Sequence, residues 1–219
     1  MVIRDPSLIT MDDLIDTFTP IVVPFGEHLR LTVVALAIAL ALGVPVGVLL
    51  ARVRWLRGPV LSVLGVIYTI PSLSLLVLLI PLFGIGSTPA IVALVAYAQL
   101  VLVRNVVVGL SGLDGAVVEA ARGMGMSGWQ RFYRVELPLA LPLILAGVRL
   151  ASLSIIAIGT VAALVGAGGL GTPLLIGVTT GDTRKILAGS IAVAVLAFGA
   201  NAILRALERR AALAIRGPD

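Results

Sequence analysis

The chain has 219 residues, of which 59% are hydrophobic and 12% charged, and its mean hydropathy is +1.15; that balance excludes a soluble globular domain and indicates a polytopic membrane protein. The net charge of +5 and pI near 10.7 do not mark a nucleic-acid binder, because the basic residues cluster in short loops beside apolar runs, the pattern of positive-inside topology. The absence of cysteine removes disulfides, thiolate catalysis and cysteine-based metal sites.

Residues 1–25 read as an extracytoplasmic N-terminal segment. Positions 1–20 are acidic (Asp5, Asp12, Asp13, Asp16) and lack the apolar core of a signal peptide, so the first apolar run is expected to remain as a membrane helix. Leu31 to Ala51 gives 21 residues without a charge, which at about 1.5 Å per residue crosses a hydrocarbon core of roughly 30 Å. Arg57 and Arg104 then bracket 46 uncharged residues. These suffice for two spans, about 59–83 and 88–108, broken at Gly84-Ile85-Gly86-Ser87-Thr88-Pro89. A polar segment over 114–138 follows, then spans near 139–165 and 186–204 and a cytoplasmic tail over 209–219. The expected fold is an all-α membrane protein with five transmembrane helices. Eleven Lys and Arg residues fall on one side, four on the other, and Arg149 lies within the fourth span, accounting for all 16. That asymmetry puts the N-terminus outside, and the 114–138 loop and C-terminus in the cytoplasm.

The 114–138 segment is the one polar island of any length between apolar runs. Asp114 is a plausible N-cap for a short helix running toward Met124, and Gly125 suits a helix C-terminus, where positive φ is cheapest. Ser127 and Gln130 have capping-box spacing, so a second helix should begin near Gly128. Trp129, Phe132, Tyr133 and Leu137 form one apolar face of it. Pro138 and Pro142 sit where a first helical turn tolerates proline.

Glu119-Ala120-Ala121, three residues, Gly125, nine residues, Val135, one residue and Leu137-Pro138 resemble the EAA signature of the membrane-spanning subunits of binding-protein-dependent ABC importers. The resemblance implies a type I importer permease in a bacterial-type cytoplasmic (inner) membrane. It makes Glu119, Ala120, Ala121, Gly125, Val135, Leu137 and Pro138 the segment that couples to a separate ATPase. It also implies two cytoplasmic ATPase subunits that bind the ATP and Mg, a second permease subunit (identical or paralogous), an extracytoplasmic solute-binding protein and a membrane-lipid environment, with no nucleic acid. Ile70-Pro71-Ser72-Leu73-Ser74-Leu75-Leu76, continuing to Gly84-Ile85-Gly86, together with Val103-Arg104-Asn105, is similar to the glycine betaine, carnitine and choline group. Overall the likeness covers about 26–208, the importer transmembrane domain. A methionine or other amino-acid importer shares the signature and is the alternative. A stand-alone secondary transporter is the rival of another class, disfavoured because no internal repeat is visible and Arg149 has no acidic partner within a span.

Other motifs carry less. Gly166-Ala167-Gly168-Gly169-Leu170-Gly171 has the letters of a dinucleotide fingerprint but follows a membrane helix rather than a strand, with no acidic residue about 20 positions on. It resembles the glycine-rich loop after the fourth span of several importer permeases. No phosphate-binding loop with Gly-Lys-Ser/Thr occurs, so the chain is expected not to be an enzyme, with no cofactor of its own. The single histidine, His28, makes a poor metal site and is expected in a surface or capping role. Tyr68, Thr69, Ser72, Tyr97, Gln99, Arg149, Ser152 and Thr160 are candidates to line the translocation path, with helix packing the competing role for the serines and threonines. Trp55 and Trp129 map to cytoplasmic loops. That leaves no full aromatic cage for a quaternary ammonium, and places primary selectivity in the binding protein.

Overall fold

The computed structural model describes residues 19–216. Most of the expected 1–25 segment and the last three tail residues lie outside them. Helix α1 (Val22–Arg52) begins well before position 31, because Val22, Val23 and Phe25 extend the apolar run. Helices α2 (Arg54–Thr69) and α3 (Ser72–Phe83) follow, then α4 (Ser87–Ser111). The polar segment forms α5 (Gly115–Gly123), α6 (Gly128–Arg131) and a π-helical turn (Phe132–Glu136) that runs into α7 (Leu137–Val161). A 3-10 turn (Ala162–Val165), the short α8 (Gly171–Thr180) and α9 (Thr183–Arg216) complete the chain.

Among the described residues, four helices are long and apolar enough to cross a membrane: Thr19–Arg52, Ser87–Ser111, Gly128–Val165 and Thr183–Ala214. The expected second span, 59–83, is instead the α2–α3 pair, bent by 96°. Pro71 is the cause. A residue before proline is pushed out of the α region, and Ile70 sits at φ −65°, ψ 130°. The helix therefore stops at Thr69 and restarts at Ser72, and the carbonyl of Ile70 is capped by the Tyr97 hydroxyl from α4. Helix α9, which holds the last expected span, runs on without a break through the expected tail to Arg216.

The core is an α1–α4–α7 stack, with α9 against the far side of α7. Small residues set the α1–α4 distance. Ala35, Ala39, Gly43 and Gly47 recur every fourth position and are all buried, the spacing that lets membrane helices approach closely. A β-carbon on Gly47 would lie 2.5 Å from Cβ of Val106. Gln99 of α4 adds a hydrogen bond to the carbonyl of Ala39 at 3.2 Å. Arg57 closes the arginine-rich end, donating to the α1 carbonyl of Leu50 and, at 2.8 Å, to the Ser111 hydroxyl at the end of α4.

Candidate functional site

The polar segment folds as its residues require. Asp114 caps α5 by accepting from the Ala116 N–H at 2.9 Å. The helix ends in a complete Schellman motif: the Met126 N–H donates to the Ala121 carbonyl at 3.3 Å and the Gly125 N–H to the Arg122 carbonyl at 2.9 Å. Gly125 has φ +77°, a conformation cheap for glycine and costly for a residue with a β-carbon. Two residues on, Ser127 and Gln130 form the reciprocal capping box that starts α6 at Gly128.

Glu119, Ala120 and Gly125 are exposed, whereas Ala121 is buried. Val135 and Leu137 are half-buried and Pro138 is exposed at the start of α7. The signature thus divides between positions exposed on the surface and positions turned toward the bundle. The aromatic residues expected on one apolar face do not all go inward: Trp129 is 71% exposed, and its ring lies 4.3 Å from Tyr133, which in turn meets Phe132 edge-on at 5.0 Å.

One residue central to this region was not singled out by sequence. Glu136 is only 4% exposed. Its carboxylate accepts from Arg131 Nε at 2.7 Å and from both terminal nitrogens of Arg52, the last residue of α1. Arg52 also lies over the Phe132 ring, 5.6 Å from its centre. A buried carboxylate left with no cation would be strongly destabilising; the well-buried Arg131 compensates Glu136 directly, and the more exposed Arg52 adds the link to α1. The π-helical turn makes this possible. It inserts one residue into the helical register just before Pro138, which has no N–H to donate, and the Leu137 N–H reaches back to the Phe132 carbonyl. The signal in the sequence was an acid inside the Val135–Pro138 signature, next to a membrane span where acids are rare.

The opposite end of the bundle holds a second polar arrangement. His28 is fully buried, not a surface or capping residue. The Leu170 N–H donates to its Nδ1 at 3.3 Å, which leaves Nε2–H to donate to the Ile156 carbonyl at 3.2 Å. Glu27 accepts the Gly169 N–H at 2.9 Å. Gly168 and Gly169 both have φ +76°, and a β-carbon on Gly169 would stand 3.0 Å from the imidazole. The glycine run is therefore a backbone surface fitted to two α1 side chains.

The path candidates are scattered. Tyr68 and Tyr97 meet edge-on at 5.9 Å beside the α2–α3 break, where Thr69 and Ser72 also lie. Gln99 joins α4 to α1. Ser152 is buried and bonds back to the Val148 carbonyl, and Thr160 bonds back to Ala157. Arg149 does have an acidic partner: Glu208 of α9, at 3.0 Å, with Asn201 accepting at 3.3 Å. Glu208 lies beyond the apolar stretch of its helix, so the pair is invisible to span-by-span reading.

A family described as the inner membrane component of binding-protein-dependent transport systems matches residues 43–213. The chain belongs to that family. This permease is 42% identical over 187 residues to the osmoprotectant import permease protein OsmW of Salmonella typhimurium, covering 83% of this chain and 87% of that protein. It is 37% identical over 185 residues to the glycine betaine/carnitine/choline transport system permease protein OpuCB of Bacillus subtilis, covering 84% and 85%. A solved structure of the MetNI methionine ABC transporter in inward-facing conformations superposes with TM-score 0.78 at 26% identity, covering 87% of this chain and 95% of that one. The chain is thus a multi-pass inner-membrane permease subunit of an ABC importer.

Proposed function

We propose that this permease imports osmoprotectants of the quaternary-amine class, such as glycine betaine, carnitine or choline, using ATP hydrolysed by a separate subunit. The observation that carries the coupling role is the Glu119–Pro138 segment: a helix, a Schellman turn at Gly125 and a capped second helix, with Glu119 exposed and Glu136 anchored beneath. The substrate class is supported by the names of the OsmW and OpuCB relatives and by the Ile70–Gly86 pattern.

In this reading the α2–α3 pair is one broken span, giving five. The N-terminus is outside and the arginine-rich end, with the coupling segment, is cytoplasmic. Two ATPase subunits hold ATP and Mg; a second permease subunit completes the path, and an extracytoplasmic binding protein delivers the solute. Glu119, Ala120 and Gly125 present the surface that the ATPase grips. Ala121, Val135 and Leu137 seat that surface on the bundle, so a push on the segment tilts α7 and switches the path from inward- to outward-open. Tyr68, Thr69 and Ser72 at the proline break, with Tyr97 behind them, offer hydroxyl groups to the passing solute; Arg149 acts in holding α7 to α9.

Purification in mild detergent together with its ATPase and binding-protein partners, followed by reconstitution and uptake assays, tests the reading. Saturable, ATP-dependent uptake of glycine betaine, carnitine or choline is expected, with methionine as the comparison solute. Uptake of methionine alone would overturn the substrate class, and failure to retain an ATPase would overturn the coupling role.

A further inference from the structure

We infer that α1 and α7 are tied at both membrane faces into one rigid frame, with Glu136 and His28 as its positioning residues, so that motion of the coupling segment reaches the outer glycine loop without loss. The inference rests on the coupling role proposed above and goes beyond it by naming how the movement crosses the membrane.

At the cytoplasmic face Glu136, at the head of α7, holds Arg52, at the foot of α1, and Arg131 of α6. At the outer face His28 of α1 donates to Ile156 of α7 and accepts from Leu170, while Glu27 accepts from Gly169. The distance spanned is large: Arg52 lies 24 residues after His28 on α1, about 36 Å at 1.5 Å per residue. Two helices pinned only at one end can shear or scissor by small side-chain adjustments. Two helices pinned at both ends cannot do so without breaking a buried tie. Glu136 is buried with its charge shared between two guanidinium groups, and His28 is enclosed by Gly159 and Gly169, whose β-carbons would stand 3.1 and 3.0 Å from its ring. The glycine loop leads directly into α8, so whatever moves the frame also moves that short helix.

The frame predicts that weakening either tie, though the two lie at opposite faces, produces the same defect: ATP is still hydrolysed but less solute is moved per ATP. The test uses the assembled complex in proteoliposomes, with radiolabelled glycine betaine uptake and ATP hydrolysis measured together. The variants are Glu136→Gln, Arg52→Gln, His28→Ala and His28→Gln. Arg52→Gln is the mild cytoplasmic change, because Arg131 still neutralises Glu136. It and His28→Ala are expected to retain the ATPase subunit and to lower uptake per ATP by about tenfold, within the range of ordinary coupling between sites. His28→Gln, which keeps a donor and an acceptor, should recover most of that loss. Should Glu136→Gln fail to assemble, Arg52→Gln carries the cytoplasmic arm by itself. Wild-type uptake per ATP in either Arg52→Gln or His28→Ala overturns the frame, as does a loss of uptake that only follows loss of assembled complex. A wild-type complex lacking ATP-dependent uptake would instead overturn the substrate or coupling reading, so the two failures are distinguishable.

Discussion

At the residue scale, the positions that matter most are those where a single atom has no room or no alternative. Gly125 is the clearest case in the proposed coupling segment. Its β-carbon would meet nothing within 4 Å, so the only penalty for substitution is its φ of +77°. The left-handed conformation costs roughly 1–2 kcal/mol for most residues and less for Asn. Gly125→Val should therefore insert in the membrane normally yet lose ATPase retention and uptake, while Gly125→Asn keeps a substantial part of both; uptake by the valine variant at the wild-type rate would refute the coupling role. Gly47 is the opposite case, constrained by space and not by torsion. Gly47→Ala drives a methyl group against Val106, and overpacking of this kind costs about 1–3 kcal/mol. The detergent-solubilised protein should unfold at lower temperature, and adding Val106→Gly should restore part of the loss; no change in the melting curve of Gly47→Ala would show that the helices part easily there.

At the scale of elements, the coupling segment was readable in sequence because local chemistry decides it. Asp114, Gly125, Ser127 and Gln130 act on backbone groups within a few residues, so spacing alone reveals the two helices and the turn. The bend at Ile70–Pro71 was half readable: the proline was visible, but not that it turns the chain by 96°, which depends on Tyr97 arriving from α4 to cap Ile70. The π-helical turn was not readable, because its purpose is to aim Glu136 at Arg52, 84 residues earlier. Its role yields a prediction. Inserting one alanine after Val135 adds a residue beyond the one that the π-helical turn already absorbs, and should rotate α5 and α6 by about 100° relative to α7. The variant should reach the membrane but fail to retain the ATPase subunit, whereas Val135→Ala, which keeps the register, should retain it. Equal retention by the insertion and the Val135→Ala variant would show that the register of this turn is not functional.

At the scale of the whole molecule, hydropathy and charge made the bundle legible because the bilayer imposes them on every membrane helix alike. They were silent on which spans touch. The α1–α4 seam, the Arg149–Glu208 pair and the seating of His28 under the glycine loop all join residues distant in sequence, and composition carries no trace of such pairings. Orientation is the property on which the whole functional reading turns, since a coupling segment on the wrong face meets no ATPase. The chain contains no cysteine, so a single introduced thiol reports its own location against no background. Met124 is 70% exposed at the tip of the proposed coupling segment, and Thr183 is exposed at the start of α9, toward the opposite end of the bundle. With eleven basic residues assigned to the inside and four to the outside, Thr183→Cys should react with a membrane-impermeant maleimide in intact cells. Met124→Cys should react only after the membrane is opened. A shared response would mean that one of the intervening helices does not cross, and the reverse response would place the Arg52–Glu136 end outside, where no source of ATP could drive it.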